Sequence, residues 1–173
     1  MKTKTQRSLA LLLLATFTLL ALEGCGFRLR GSAAVALSMP ITYVQGGATA
    51  SPVLLGELRR ALESAGVKIA AKQEDADAVL NVLDEEKGRR VLSVSGGGTV
   101  QEYELRYGVT FDVKGRDGQE LSPAQTVGME RAVSFSAGEA LAKGAEEDLL
   151  YRDMRRDVIQ NILRRLSVIK KPS

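Results

Sequence analysis

The sequence has 173 residues, of which 45% are hydrophobic and 26% charged, as in a globular protein with one sizeable core. It contains no histidine and a single cysteine, Cys25. Histidine-based catalysis, an intramolecular disulfide and a Cys-x-x-Cys metal or redox pair are therefore excluded.

The first 24 residues have the pattern of a secretory signal peptide. Lys2, Lys4 and Arg7 precede an apolar run of fourteen residues, Leu9–Leu22. As a helix this run would be about 21 Å long, which is short of the roughly 30 Å hydrocarbon core of a membrane. Residues 1–24 hold three of the 24 Lys and Arg and one of the 21 Asp and Glu, so the rest has a net charge of +1. A nucleic-acid partner is therefore not expected.

The end of the apolar run predicts a lipid attachment site. Leu22–Cys25 resembles a bacterial lipobox, in which the cysteine receives lipid, although Glu23 stands where a small residue is usual. An ordinary signal peptide followed by an incidental cysteine is the alternative. Gly26 is not the aspartate that retains enterobacterial lipoproteins at the inner membrane. We therefore expect a signal peptide over 1–24 and one domain over 25–173, anchored in the outer membrane through Cys25.

The first half of this domain predicts two strands, a helix and a short extended segment. Phe27–Arg30 alternates apolar and basic residues, and Ile41–Val44 is a second strand candidate. Ser51 is a suitable N-cap, a proline follows it, and Gly66 ends the apolar periodicity of the predicted helix. Val67–Ala70 is a candidate extended segment.

The second half predicts a strand meander and a long helix. The strongest signal is Val100–Lys114, where every odd position from Tyr103 to Val113 is apolar. Apolar residues then repeat every four positions from Leu150 to Leu166. The predicted segments are a strand over Ala78–Leu83 that could extend to Val94, a turn at Gly96–Gly98, strand Val100–Lys114, a hairpin turn at Gly115–Gly118, strand Thr126–Ser136 and helix Ala145–Ser167.

This order of elements predicts a two-layer α+β sandwich, with two amphipathic helices on one face of a mainly antiparallel sheet. The acidic residues Glu146, Glu147 and Asp148 fall at the predicted start of the second helix. Three consecutive helical carboxylates diverge by about 100° each, so we interpret them as complementing the helix dipole rather than as a metal site.

Catalytic motifs are lacking. Gly96–Gly98 has no following Lys-Ser or Lys-Thr, as a phosphate loop would, and no Ser-x-x-Lys stands at a predicted helix start. We therefore expect neither an enzyme nor a cofactor. Arg89 and Arg90 could contact an anionic ligand or could belong to a solvated sheet face.

Four stretches together resemble the LptE-type (RlpB) family of lipopolysaccharide-assembly lipoproteins. They are Cys25–Arg30, Gln101–Glu104, Ala140–Lys143 and Glu146–Leu166, in the family's order. The resemblance implies two helices on a four-stranded sheet. It also implies a one-to-one complex with a large outer-membrane β-barrel of the LptD type, which the lipoprotein plugs and helps to assemble, and binding of lipopolysaccharide.

The resemblance assigns the lysine of the Ala-Leu-Ala-Lys motif, Lys143, to lipopolysaccharide contact. The family's second basic position falls near Gly96 and is not matched, so Arg89 and Arg90 are the candidate substitutes. Two alternatives stay open at this point. One is a lipid-anchored binding or assembly module of another envelope complex, and the other is a lipid-anchored periplasmic hydrolase.

Overall fold

The computed structural model describes residues 35–36, 38–134 and 140–169, except for the side chains of 140–143. The predicted signal peptide, Cys25 and the predicted strand Phe27–Arg30 lie outside the described residues. The described elements are β1 Ile41–Gly46, α1 Pro52–Ser64, β2 Lys68–Ile69, β3 Ala78–Val94, β4 Val100–Gly115, β5 Glu120–Ser134 and α2 Ala140–Leu166.

The strands form one mixed sheet in the order β2-β1-β3-β4-β5. β1 is parallel to both β2 and β3, whereas β4 is antiparallel to β3 and β5. The expected four-stranded sheet is therefore wrong in its strand number, because β2 adds a fifth strand. β2 lies within Val67–Ala70, so the predicted extended segment is confirmed, but its two residues, Lys68 and Ile69, are too few to produce the alternation signal of a strand.

Local capping explains why α1 begins and ends where the sequence predicted. The Leu54 N–H donates to Ser51 Oγ at 3.1 Å, and Pro52 occupies the first helical position. Gly66 has φ +87°, in the left-handed region that favours glycine after a helix. The predicted helix is thus confirmed, and its apolar stripe is buried through Leu54, Leu58 and Leu62.

Both helices and one side of the sheet contribute to a single hydrophobic core. The odd positions of β4 are buried from Leu105 to Val113, and Tyr103 is partly buried. The repeat in α2 is buried from Met154 to Leu166, and Leu150 is partly buried against the core. No described helix is both long and apolar enough to cross a membrane.

One strand and one helix start several residues earlier than predicted. β5 begins at Glu120 rather than at Thr126, because pairing with β4 starts beside the hairpin turn. Register irregularities opposite Val113 and a proline at position 123 hide this early part of the strand from a period-two search. α2 begins at Ala140 rather than Ala145.

We predict opposite effects of alanine at two glycines near α1. Gly66→Ala forces a side chain into the left-handed region and should lower the free energy of unfolding by about 1–2 kcal/mol. Gly56→Ala lies inside the helix, where the new Cβ would be 3.9 Å from Arg60 Nη1, an ordinary van der Waals contact. It should raise the free energy of unfolding by about 0.5–1 kcal/mol. Urea unfolding followed by circular dichroism measures both, and equal effects would contradict the assigned helix end.

Candidate functional site

A β-bulge in β3 changes which of its side chains face α2. Val82 lies opposite Phe111 and Asp84 lies opposite Thr110, so Leu83 is an additional residue between them. Before the bulge, Leu80 and Val82 at even positions are fully buried on the core side, and the odd-numbered Val79 is buried as well. Beyond it, the odd positions lie opposite buried residues of β4 and share their side of the sheet.

The bulge therefore directs Lys87 and Arg89 towards α2. Lys87 Nζ lies 3.6 Å from Asp148 Oδ1 and 4.1 Å from the centre of the Tyr151 ring. Arg89 Nη1 lies 3.2 Å from Glu147 Oε2. Both basic side chains are about half exposed, at 52% and 55%. We call Lys87, Arg89, Glu147 and Asp148 the charged cluster.

Aromatic rings from β4 and α2 lie beside the basic side chains of the charged cluster. The Arg89 guanidinium lies 5.0 Å from the centre of the Tyr103 ring in β4, within cation–π range. The Tyr151 hydroxyl donates to the Gly88 carbonyl oxygen at 2.6 Å and so joins α2 directly to β3. Burial raises the pKa of Tyr151 above its ordinary value.

The acidic triplet therefore has a different role from the one predicted. The start of α2 at Ala140 leaves no acidic residue in the first helical turn. Glu147 and Asp148 instead form ion pairs with β3, about sixty residues away in sequence. The helix-dipole interpretation is wrong because it relied on the later predicted helix start.

Arg90 lies on the opposite face of the sheet from Arg89. Its Nε and Nη2 donate to the two carboxylate oxygens of Glu104 at 2.6 and 3.2 Å. This hydrogen bonding holds the pKa of Glu104 below its usual value. The same face carries the Arg106–Glu130 pair at 3.1 Å. Because successive strand residues point to opposite faces, Arg89 and Arg90 do not converge on one surface.

A second polar group joins the helices to the sheet below the charged cluster. Glu85 accepts hydrogen bonds from the Tyr107 hydroxyl and the Ser51 N–H, both at 2.6 Å. Burial, reinforced by this carboxylate, raises the pKa of Tyr107 far above its ordinary value. Arg155 donates twice to Glu57, at 2.9 and 3.2 Å. The sequence did not reveal these pairs, because Glu57 and Arg155 are 98 residues apart.

Exposed apolar side chains lie next to the charged cluster. Val91, Leu92 and Val94, at the end of β3, are 50%, 43% and 57% exposed, and Leu149 of α2 is 52% exposed. The turn that follows β3 contains Gly98 at φ +78°, so the predicted hairpin turn at Gly96–Gly98 is confirmed. Charged and apolar groups thus occur together at this end of the sheet, as recognition of an anionic amphiphile would require.

Comparison with known proteins assigns this fold to a family. The family model LptE, described as "Lipopolysaccharide-assembly", matches residues 35–166. The chain belongs to the LptE family. The LPS-assembly lipoprotein LptE of Photorhabdus laumondii is 27% identical over 159 residues, covering 92% of this chain and 86% of that protein.

Solved structures of similar proteins agree with the family assignment. The solution structure of lipoprotein B from Nitrosomonas europaea has a TM-score of 0.70 and 32% identity, covering 82% of this chain and 90% of that one. Rare lipoprotein B from Shewanella oneidensis has a TM-score of 0.63 and 28% identity, covering 73% and 93%. The two helices and mixed sheet of the LptE-family chain therefore belong to a recurring lipoprotein fold.

The site residues that were predicted from the sequence do not all lie together. Arg89 lies in the charged cluster, and Arg90 lies on the opposite face. Lys143 is in the first turn of α2, four residues before Glu147, and its side chain is outside the described residues. Cys25 is outside them as well. Among the described residues, no cluster of three or more His, Cys, Asp or Glu could hold a metal ion.

We predict that the Glu57–Arg155 pair stabilises this LptE-family chain in a pH-dependent way. Hydrogen bonding from Arg155 lowers the pKa of Glu57 below its ordinary 4.5, and only 23% of the Glu57 side chain is exposed. Glu57→Gln should lower the free energy of unfolding at pH 7 by about 1–3 kcal/mol.

The sign of the pH dependence follows from the lowered pKa. The stabilisation is fully present above the unfolded-state pKa and is lost as the pH falls through the folded-state value. Urea unfolding from pH 7 to pH 3 should show the parent and variant converging. Glu63→Gln, at an exposed position of the same helix, is the control. A difference that stayed constant with pH would contradict the assignment.

Proposed function

We propose that the chain is an outer-membrane lipoprotein anchored by lipid on Cys25 at the periplasmic side. It plugs and helps to assemble an LptD-type β-barrel translocon in a one-to-one complex, and it binds lipopolysaccharide during delivery to the cell surface. The observation that carries this proposal is the family match over residues 35–166. The proposal is further supported by the charged and apolar groups that lie together beside the β3–β4 turn.

The chemistry of that surface is suited to lipopolysaccharide. Phosphate groups favour Arg and Lys donors, and Arg89 and Lys87 are half exposed. Acyl chains favour exposed apolar side chains, which Val91 and Val94 supply within a few residues of these donors. Lys143 stands one helical turn before Glu147 in α2 and is the lysine that the family resemblance assigns to lipopolysaccharide contact. We therefore assign this contact to Arg89 and Lys143.

Glu147 limits how strongly Arg89 can attract an anion. The carboxylate lies 3.2 Å from the guanidinium, so an incoming phosphate has to compete with it. Loss of the negative charge at position 147 should leave Arg89 more available and remove a repulsive charge. If this cluster binds an anion, removal of Arg89 and removal of the charge on Glu147 should therefore have opposite effects on the affinity for that anion.

We predict that Arg89→Ala and Lys143→Asp each weaken lipopolysaccharide binding by about tenfold, equivalent to about 1.4 kcal/mol. Glu147→Gln should strengthen binding several-fold. Arg90→Ala is the matched control on the opposite face and should leave affinity unchanged. The measurement is titration of purified chain with lipopolysaccharide micelles, with far-ultraviolet circular dichroism confirming that each variant is folded.

The pattern of these four affinities decides the assignment. Equal losses in Arg89→Ala and Arg90→Ala would indicate unspecific charge attraction. Unchanged binding in Lys143→Asp would remove Lys143 from the site.

The complex with a barrel is also supported by the polar face that carries Arg90. Its Arg90–Glu104 and Arg106–Glu130 pairs and its Thr110–Thr126 hydrogen bond suit the watery interior of a large barrel. We predict that affinity purification of the chain from detergent-solubilised outer membranes recovers one large β-barrel protein in equal amount. Quantitative mass spectrometry measures the ratio, and absence of the barrel would refute the plug proposal.

We predict that Cys25→Ser detaches the chain from membranes when the barrel is depleted. A diacylglycerol and an N-acyl chain together supply enough buried CH₂ groups for stable anchoring, and a serine would receive neither. Fractionation of barrel-depleted cells should place the parent chain in the membrane and the variant in the soluble periplasm. Release of both chains would show that lipid on Cys25 is not the anchor.

A further inference from the structure

β5 forms one edge of the sheet over an unusually long and regular stretch. Ten consecutive residues, Gln125–Ser134, pair with β4 without a register shift. At about 3.3 Å per residue this stretch is about 33 Å long. No described strand pairs with the outer side of β5. Alternate backbone N–H and C=O groups along it therefore point away from the sheet.

This edge lacks three of the features by which sheets usually prevent association. Lysine, proline and bulges are the common ones, and residues 125–134 contain no lysine, no proline and no register shift. The stretch has two charged residues, and both are held by the chain itself. Glu130 pairs with Arg106 at 3.1 Å, and Arg131 pairs with Asp157 at 3.1 Å.

The edge is also joined to α2 by side-chain contacts. Arg165 of α2 donates to Gln125 Oε1 at 2.8 Å near one end of the stretch. Arg131 is joined to the same helix through Asp157, and Val127 is buried between them. A strand that added to β5 would meet an ordered template, so little conformational entropy would be lost on the side of β5.

We propose that β5 is a template for strand addition, and that its occupant is an extended strand of the β-barrel partner before the barrel closes. This inference rests on the proposed function. A membrane barrel strand spans about 9–11 residues, which matches the ten regular positions of β5. A closed barrel has no free edge, so the pairing belongs to assembly and ends at closure.

The two faces of β5 match the side-chain alternation of such a strand. On the α2 side, β5 presents Val127, Met129 and Val133, all of which belong to the core or pack against it, with Arg131 as the charged residue between the last two. The other face presents Thr126, Gly128 and Ala132 along most of its length. A barrel strand alternates apolar and polar side chains in the same way. Strand addition in register would continue both faces of the sheet.

Hydrogen exchange tests this proposal without any substitution. The barrel protein that co-purifies with the chain is unfolded in urea and diluted into detergent with or without the full chain. Alternate amides within 125–133 should exchange freely in the chain alone and become protected at least about tenfold while the barrel protein folds. Protection should be lost again once the barrel has closed.

Proline substitutions at two consecutive positions test the backbone directly. Successive N–H groups point alternately towards β4 and outward, so either Gly128→Pro or Met129→Pro removes only an outward donor. Of the two proline variants, the one that has lost only an outward donor should keep the melting temperature of the parent chain. That variant should lower the yield of folded barrel by about tenfold. Gly128→Ala and Met129→Leu keep both N–H groups and are the matched controls. The new Cβ at position 128 has room, since its nearest neighbour is the Tyr107 carbonyl oxygen at 3.5 Å.

Each of the following three outcomes would overturn the strand-addition proposal. Outward amides that are protected at any concentration of the isolated chain would mean that another segment of the chain covers β5. Protection that grows with chain concentration would mean that a second copy does. An unchanged barrel yield in the folded proline variant would exclude strand addition. If the parent chain co-purifies with the barrel in these cases, the proposed function stands and only the template fails.

Discussion

The placement of Leu83 as an extra residue in β3 is the constraint on which the candidate site depends. Before this bulge, β3 lies in the core beside β1 and contributes even-numbered apolar residues. After it, the odd-numbered Glu85, Lys87 and Arg89 turn towards the helices. One inserted residue thus allows a single long strand to serve as core at one end and as a charged surface at the other.

The charged residues beyond the bulge are stabilised in two different ways. Glu85 and Tyr107 are deep enough that burial is the main influence on the tyrosine pKa, and the Ser51 N–H completes the hydrogen bonding of the carboxylate. Lys87 and Arg89 are half exposed, so their ion pairs with α2 lie in a more watery environment. Pairs of this kind contribute little stability and can exchange partners with a ligand.

The same sheet presents three surfaces with different chemistry. The basic and apolar groups beside the β3–β4 turn suit an anionic amphiphile. On the face that carries Arg90, basic and acidic side chains form ion pairs with each other. The outer side of β5 offers backbone groups alone. α2 contacts the surface beside the β3–β4 turn through Glu147, and it contacts the β5 edge through Arg165. Under the proposed function, this separation would keep the contacts with lipopolysaccharide apart from those with a folding barrel.

The sequence alone determined the features that depend on neighbouring residues. These include α1 with its Ser51 cap, the alternation of β4, the hairpin turn at Gly96–Gly98 and the apolar stripe of α2. The tertiary structure decided the addition of β2, the early start of β5, the separation of Arg89 from Arg90 and the partners of Glu147 and Asp148. Capping and periodicity act within a few residues and leave a local pattern. A bulge or an ion pair between distant elements depends on strand register, which is set by packing across the whole sheet.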